Sequence, residues 1–406
     1  MKKAVLLITI ILSFLLYPSI SWTEENFSPV EGSNKIYKVK SSDSLYSIAR
    51  KFDVSMEHIA LANGMTSYYV RTGQKLVIPL ERVLPGTLEN GVILNLPERA
   101  IYFFKKGNLK AVFPCAVGAP GRWMTPRGDF YIASRIMNPI WLPPEWAGIE
   151  HPVFPGPSHP LGDRWMGLSQ PGVGMHATNA PASIGGAVSH GCIRMYPEDA
   201  HTLFGLVTVG LPVKIIYEPV KVGFSMKTKK FYLSVFPDIY YLGTNNFKEV
   251  MKKLKSLEID GFVNEKQIKR IISEARGIPQ EILGSDVVIK VDGNEAELTQ
   301  TPFIKGGLIL ACSHIFKSAG AELFWDSSDK SLTIVRENMH LKLKPGKKEA
   351  LLDGRAWEMP VEPVLFRGQV VVPVKSVAQA IGLNVQWVEE EKTLSIDTGK
   401  NSLTTY

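Results

Sequence analysis

The spacing of apolar residues changes several times along this chain, and these changes predict four folded units after the N-terminus. In the first unit, residues 35–80, two short strand-like stretches flank two stretches with helical spacing. The apolar positions of the first helix share one face: Leu45, Ile48, Ala49 and Phe52. Ser42 or Asp43 is expected to cap this helix, and Ser55 the second one. The pattern predicts a βααβ module.

The second unit, residues 90–218, has short apolar runs separated by Gly and Pro turns. These runs are Val92–Leu96, Ala100–Phe104, Leu109–Val117 and Phe130–Ile132. Repeated short strands between turn residues indicate a mainly-β domain.

The third unit, residues 219–285, begins with a strand and continues with two helical patterns. The predicted elements are a strand at Phe231–Phe236 and helices at Phe247–Leu257 and Lys266–Ala275. Asn245 is a candidate cap for the first helix, and Asn264 with Gln267 forms a capping-box pattern for the second. This unit is predicted to be a small α+β extension.

The fourth unit, residues 286–398, contains an internal repeat of about 60 residues. In both copies a Gly-bearing turn enters a strand, a short helix ends at Gly320 or Gly382, and a Trp strand follows. Trp325 and Trp387 occupy matching positions, which favours core packing over carbohydrate stacking. The repeat predicts an α+β domain built from two similar halves.

The composition and charge of the chain limit the kinds of ligand and cofactor that can be predicted for it. Of 406 residues, 45% are hydrophobic and 21% charged, which is typical of folded domains, and the length suits several of them. The net charge of +7 suits anionic surroundings, but the basic residues do not form blocks of the nucleic-acid-binding kind. Three cysteines do not make a disulfide framework, and no spacing of ligand residues indicates a metal. No nucleic acid, metal or other cofactor is therefore predicted.

The N-terminus has the pattern of a signal peptide. Lys2 and Lys3 precede an apolar run, Ala4–Tyr17, that Pro18 ends. This run is shorter than the roughly 20 residues of a membrane-spanning helix, so we expect a cleaved signal over residues 1–21. The protein is then exported to the periplasm, the cell wall or the extracellular space. An uncleaved anchor, which would hold it at the outer face of the membrane, is the alternative.

A histidine and a cysteine enclose the most informative stretch, HATNAPASIGGAVSHGC, from His176 to Cys192. A free thiol has a pKa near ~8.5 and needs a base to become a nucleophile. An imidazole can take that proton and hold the thiolate as half of an ion pair. His176 and His190 are both candidates, and spacing alone does not choose between them.

The same stretch resembles the L,D-transpeptidase (YkuD-type) catalytic domain, whose motif ends in Ser/Thr-His-Gly-Cys and here continues as SHGCIRM. Other matching landmarks, in order, are VGAPGRWMTPRGDF, NPIWLPPEW, GPSHPLGDRWMGL and GMHAT. The chain departs from the family pattern at His159, where Asn is usual, and at Ala177, where Gly is usual.

The resemblance implies a mechanism. Cys192 attacks the amide between the third residue of a peptidoglycan stem and the terminal D-Ala, and a thioester forms. An amine of a second stem then gives a 3→3 cross-link, whereas water would give L,D-carboxypeptidase activity. His176 is the implied base, oriented by the Ala177 carbonyl, and the N–H groups of Gly191 and Cys192 are the implied oxyanion donors.

Five further residues are candidates for substrate binding. Ser189 and His190 belong to the motif, and Trp141 and Met175 are expected to line the groove. Arg194 either holds a substrate carboxylate or pairs with a carboxylate of the fold.

Two other units also resemble known families. Residues 35–80 resemble a LysM module, which implies binding to glycans that contain N-acetylglucosamine. Residues 286–398 resemble the N-terminal domain of copper amine oxidases, but His314 and His340 do not form a metal-ligand cluster. The predicted partners are peptidoglycan stem peptides and glycan strands. A wall-binding scaffold without catalysis is the alternative function.

Overall fold

The computed structural model describes residues 27–298, 301–366 and 368–399, and shows a mostly-β protein of several domains. The predicted signal segment, 1–21, lies outside the described residues. Within the described ranges, no helix combines the length and the apolar composition needed to cross a membrane.

The first unit is a small module whose first and last strands pair with each other. Its elements are β1 (Ser28–Glu31), β2 (Lys35–Lys38), α1 (Leu45–Lys51), α2 (Met56–Ala62), β3 (Lys75–Ile78) and β4 (Arg82–Val83). Strands β2 and β3 pair antiparallel, and both helices pack on them through residues such as Leu45, Ile48 and Ile59. Strand β1, before the module, pairs antiparallel with β4, after it, so the two ends of the module lie next to each other.

Helix α1 begins one or two residues later than the sequence suggested. Its cap is Ser44, whose hydroxyl accepts from the Ser47 N–H in a capping box. Asp43, one of the two predicted caps, instead accepts from the Lys40 N–H and the Tyr37 hydroxyl. Ser55 caps α2, as its position predicted.

The second unit is a closed sheet with one helix beside it. Its elements are β5 (Asn90–Asn95), β6 (Ala100–Lys105), β7 (Asn108–Gly118), β8 (Gly128–Met137), β9 (Arg164–Leu168), β10 (Gly174–Ala177), β11 (Ala187–Ser189), β12 (Ile193–Met195), α3 (Pro197–Leu206) and β13 (Pro212–Ile216). The order is β11-β7-β12-β10-β9-β8-β13-β5-β6, and β6 also pairs with β7, which closes the ring. Alternate residues of the strands fill its interior.

The third unit supplies the sheet that the first unit joins. Its elements are β14 (Val220–Ser225), β15 (Lys230–Val235), α4 (Phe247–Ser256), α5 (Glu265–Glu274) and β16 (Gln280–Leu283). The strand order β16-β15-β14-β1-β4 shows that the first unit is an insertion in this sheet. Asn246 rather than Asn245 caps α4, while Asn264 caps α5. Gln267 donates to the Glu281 carbonyl, so the predicted capping box is only half formed.

The fourth unit contains two copies of a ββαββ repeat. Its elements are β17 (Val288–Val291), β18 (Asn294–Glu295), β19 (Phe303–Lys305), β20 (Leu308–Cys312), α6 (Ile315–Ser318), β21 (Glu322–Asp326), β22 (Ser331–Arg336), β23 (Met339–Leu343), β24 (Glu349–Leu352), β25 (Arg355–Glu358), β26 (Val364–Phe366), β27 (Gln369–Pro373), α7 (Val374–Ala380), β28 (Asn384–Val388) and β29 (Thr393–Asp397). The first hairpins of the copies share one sheet, β19-β20-β27-β26. Trp325 packs against the core as expected, but Trp387 is 36% exposed and donates to Glu389.

Buried polar contacts fix the first three units against one another. The Lys221 ammonium pairs with Glu98 and donates to the Val83 carbonyl, and all three residues are buried. A buried ion pair is tolerated only when its remaining hydrogen bonds are satisfied, and the Tyr102 hydroxyl donates to Glu98 at 2.9 Å. These contacts join β14, β4 and the closed sheet.

The module also packs directly on the second unit. The Arg50 guanidinium lies 3.3 Å from Asp199 Oδ1 and 3.9 Å from the Tyr196 ring. A side chain at Gly185 would approach the Ser55 Cβ within 2.8 Å, which shows how closely α2 contacts the segment before β11. That segment continues through β11 to Cys192.

Candidate active site

Cys192 lies at the turn between β11 and β12, beside the parallel strand β10. His176 on β10 is in register with Arg194 on β12. Their neighbours Met175 and Ile193 point into the core of the closed sheet. Because side chains alternate across a strand, His176 and Arg194 share the outer face. The fold therefore brings together residues that are up to 18 positions apart.

The His176 ring is buried and firmly oriented. Its Nδ1 donates to the Ala177 carbonyl at 2.5 Å, and the ring stacks on Trp165 with centroids 5.8 Å apart. Donation from Nδ1 leaves Nε2 as the basic nitrogen. Burial lowers the pKa of His176 to about 4, and the Arg194 charge acts in the same direction. The imidazole is therefore neutral at pH 7.

The Cys192 thiol is also neutral in this arrangement. Its Sγ is half-buried and donates to the Gly172 carbonyl at 3.3 Å. Burial raises the pKa of Cys192, while a backbone hydrogen bond at Gly174 and the Arg194 charge oppose the rise. Within the described residues no hydrogen bond joins Sγ to His176. Burial disfavours both charges of the expected thiolate–imidazolium pair.

Ser189 organises the loop that ends at Cys192. Its hydroxyl donates to the Cys192 carbonyl at 2.5 Å and accepts from the Gly191 N–H at 3.2 Å. Gly191 has φ +108°, a conformation that L side chains rarely adopt. The Gly191 N–H, one of the two expected oxyanion donors, is therefore paired with the Ser189 hydroxyl in this structure. The Cys192 N–H donates to no acceptor within the described residues.

His190 belongs to an aromatic cluster rather than to the thiol. Its ring stacks on Trp146 at a centroid distance of 3.9 Å and meets the Trp123 ring edge-on at 4.6 Å. The turn at Gly191 interrupts the strand, so His190 and Cys192 do not lie on one continuous strand. Trp146 and Trp123 were not singled out from the sequence, because only the fold brings them to His190.

The other predicted binding residues lie in three different places. Arg194 is partly exposed and forms no ion pair with any carboxylate of the described residues. Trp141 is half-buried and pairs with Val153 through an isolated β-bridge. Met175 is 0% exposed inside the closed sheet, so its side chain does not line a groove on the outer face.

Across the part of the chain that the structure describes, no three His, Cys, Asp or Glu side chains come together as possible ligands.

Comparisons with known families match three parts of the chain. The model for the L,D-transpeptidase catalytic domain matches residues 89–215, the LysM domain 37–79 and the copper amine oxidase N-terminal domain 290–396. These ranges are close to three of the units predicted from the sequence.

Curated relatives match somewhat less than half of the chain. Probable L,D-transpeptidase YcfS of Escherichia coli (strain K12) is 36% identical over 48% of this chain and 66% of that protein. Putative L,D-transpeptidase YkuD of Bacillus licheniformis is 34% identical over 44% of this chain and 98% of that protein. A crystal structure of L,D-transpeptidase 3 from Mycobacterium tuberculosis is 19% identical, covers 35% of this chain and 67% of that chain, and has a TM-score of 0.27.

Proposed function

Because this chain belongs to the L,D-transpeptidase family, we propose that it cross-links peptidoglycan through Cys192. The observation that supports this best is the position of the thiol. Cys192 comes directly before β12, and the neighbouring strand β10 carries a histidine oriented by a carbonyl. The backbone N–H of Cys192 has no acceptor within the described residues. This combination supplies a nucleophile, a base and a charge-stabilising donor at one point.

The proposed reaction has two steps. In the first, Sγ of Cys192 bonds to the carbonyl carbon of the third stem residue, and the thiol proton passes to His176. The C–N bond then breaks, His176 returns the proton to the leaving amine, and D-Ala departs. In the second, the amine of another stem attacks the thioester and loses its proton to His176, which protonates the departing thiolate. The product is a 3→3 cross-link.

The neutral resting state suits this sequence of proton transfers. A neutral imidazole accepts a proton only as the thiol attacks, which is general-base catalysis. The distance between thiol and imidazole need not be short beforehand, since catalytic hydrogen bonds often tighten only when substrate binds.

Arg194 and the aromatic cluster are proposed to bind the stem. Arg194 lies on the outer face beside the thiol and lacks a carboxylate partner within the described residues, which favours the first of its two predicted roles. A guanidinium without a partner is suited to a substrate carboxylate. Trp146 and His190 offer an exposed stacked surface beside the same loop. Ser189 is proposed to hold the conformation of the loop that ends at Cys192, rather than to bind the stem.

The LysM module is proposed to hold the enzyme on glycan strands. The LysM and transpeptidase domains suggest a cell-wall-associated protein. We propose that residues 1–21 direct its export. Arg50, Tyr196 and Asp199 connect the module to the domain that carries Cys192. A glycan held by the module would therefore keep a constant position relative to the thiol.

Removing the module should weaken wall binding. Glu31 and Arg82 are neighbours across the β1–β4 pair, so a two-residue Asn-Gly turn can replace residues 32–81. We expect the variant to sediment with insoluble peptidoglycan about tenfold less, or ~1.4 kcal/mol weaker in binding, than the full chain. Release of D-Ala from a soluble stem reports whether the variant is folded.

Unchanged sedimentation would contradict the role of the module and assign binding to the C-terminal repeats. Repeating the assay at high salt separates charge effects, because surface electrostatics are screened over ~8 Å at physiological ionic strength.

Mass spectrometry of muropeptides tests the function itself. The purified protein is incubated with a tetrapeptide muropeptide, and we expect D-Ala together with a dimer that has lost one alanine. A tripeptide monomer without dimer would make the protein an L,D-carboxypeptidase. Formation of neither product would contradict the proposal and favour the scaffold.

A further inference from the structure

We infer that Tyr240, which lies beyond the matched catalytic domain, positions the oxyanion donor of the reaction proposed above. Tyr240 follows β15 in the third unit, yet its side chain is only 5% exposed and packs in the core of the closed sheet. The inference rests on the proposed function, since it concerns the same thiol.

The first link joins Tyr240 to Thr125. The Tyr240 phenol oxygen accepts a hydrogen bond from the Thr125 N–H at 3.1 Å. Thr125 is buried in the turn that follows β7. A buried N–H that loses its acceptor is costly, so this contact holds the Thr125 backbone in place.

The second link joins Thr125 to the loop of the nucleophile. The Thr125 hydroxyl donates to the Gly191 carbonyl at 3.0 Å and accepts from the Gly118 N–H at 2.8 Å. A hydroxyl has a single proton, so the Thr125 hydroxyl donates only to the Gly191 carbonyl.

The third link is the peptide plane. The Gly191 carbonyl and the Cys192 N–H belong to one peptide unit, which is planar and trans in this chain. A hydrogen bond that fixes the direction of the carbonyl therefore also fixes the opposite direction of the N–H. Tyr240 and Thr125 thus determine where the Cys192 N–H points.

Tyr240 is itself well anchored. Its N–H donates to the Tyr217 hydroxyl at 2.8 Å, and the two rings stack with centroids 5.3 Å apart. The Tyr217 hydroxyl donates to Asp238, which also accepts from the Thr244 N–H at 3.1 Å. The third unit thereby contributes a rigid support to the neighbouring domain.

Tyr240→Phe tests the inference, because it keeps the ring and removes the acceptor. Complete loss of one oxyanion donor costs about 10²–10³ in kcat. Misdirection of the donor should cost less, so we expect kcat for D-Ala release to fall about tenfold, or ~1.4 kcal/mol of barrier. KM should stay within about twofold, because no substrate contact changes. Alkylation of Cys192 by iodoacetamide, which needs no oxyanion donor, should keep its rate and pH profile.

Two further comparisons separate positioning from packing. Turnover is expressed per folded molecule, as quantified by circular dichroism, so a loss of folded protein does not lower it. Tyr241→Phe is the matched control, since its side chain is 83% exposed and outside these contacts. Thr125→Val should reproduce the loss in kcat, and Thr125→Ser should recover most of it.

An unchanged kcat per folded molecule in Tyr240→Phe would overturn the inference. So would a loss of kcat together with a shifted alkylation profile, because Tyr240 would then act on the thiol itself. Absence of D-Ala release by the unmodified protein would instead refute the proposed function, and alkylation of Cys192 would still be measurable.

Discussion

Replacing Cys192 with alanine should abolish release of D-Ala from a tetrapeptide stem while leaving the fold intact. The side chain is only half-buried at the end of a turn, so alanine creates no large cavity in the core. The proposed reaction passes through a bond to Sγ, and no other group can replace that bond. Mass spectrometry of the products, with circular dichroism to confirm folding, is the measurement.

The two other cysteines provide matched controls. Cys115 is buried in the closed sheet, and burial strongly raises the pKa of its thiol. Cys312 is buried in the C-terminal unit, where its pKa is raised to about 11. Cys115→Ala and Cys312→Ala should therefore retain most activity. Undiminished turnover in Cys192→Ala, or loss of activity only in one of the controls, would refute the assigned nucleophile.

His176→Ala should lower turnover by about 10²–10⁴, the range found for general-base groups. Alkylation of Cys192 near neutral pH should change much less, because the resting thiol contacts Gly172 and not His176. In the unmodified protein the alkylation rate should rise about tenfold per pH unit through neutrality, since the thiol pKa lies above its usual value. Turnover should decline in acid as the ring is protonated near its pKa of about 4.

His190→Ala distinguishes the two histidines. We expect it to raise KM more than it lowers kcat, because His190 stacks on Trp146 beside the site. His340→Ala, in the C-terminal unit, is the control for removing a histidine. A large loss of kcat in His190→Ala with full activity in His176→Ala would reverse the two roles. A plateau of fast alkylation below neutral pH that His176→Ala removes would restore the ion pair expected from the sequence.

Local signals in the sequence predicted local structure well. Ser55 and Asn264 cap the helices that follow them, and the repeat in residues 286–398 folds as two similar halves. Two caps were misplaced by one or two residues, at Ser44 and Asn246. In both places adjacent polar residues are equally good caps, and which of them starts the helix depends on how the first turn packs.

The family was also readable from the sequence, because its motif is a contiguous string of residue types. The string that ends in Cys192 was sufficient to name the L,D-transpeptidase family, which the comparisons then showed. The roles of the individual residues remain predictions. These roles depend on what each side chain contacts in the folded protein, and a sequence motif does not contain that information.

Only the tertiary structure decided the features that arise between distant segments. The pairing of β1 with β14 made the LysM module an insertion in the sheet of another unit. Burial lowers the pKa of His176 and raises that of Cys192, and the loop conformation pairs the Gly191 N–H with Ser189. Tyr240 is separated from Thr125 by 115 positions. Periodicity and motifs report on neighbours along the chain, whereas burial, charge state and hydrogen-bond partners depend on which distant strands meet.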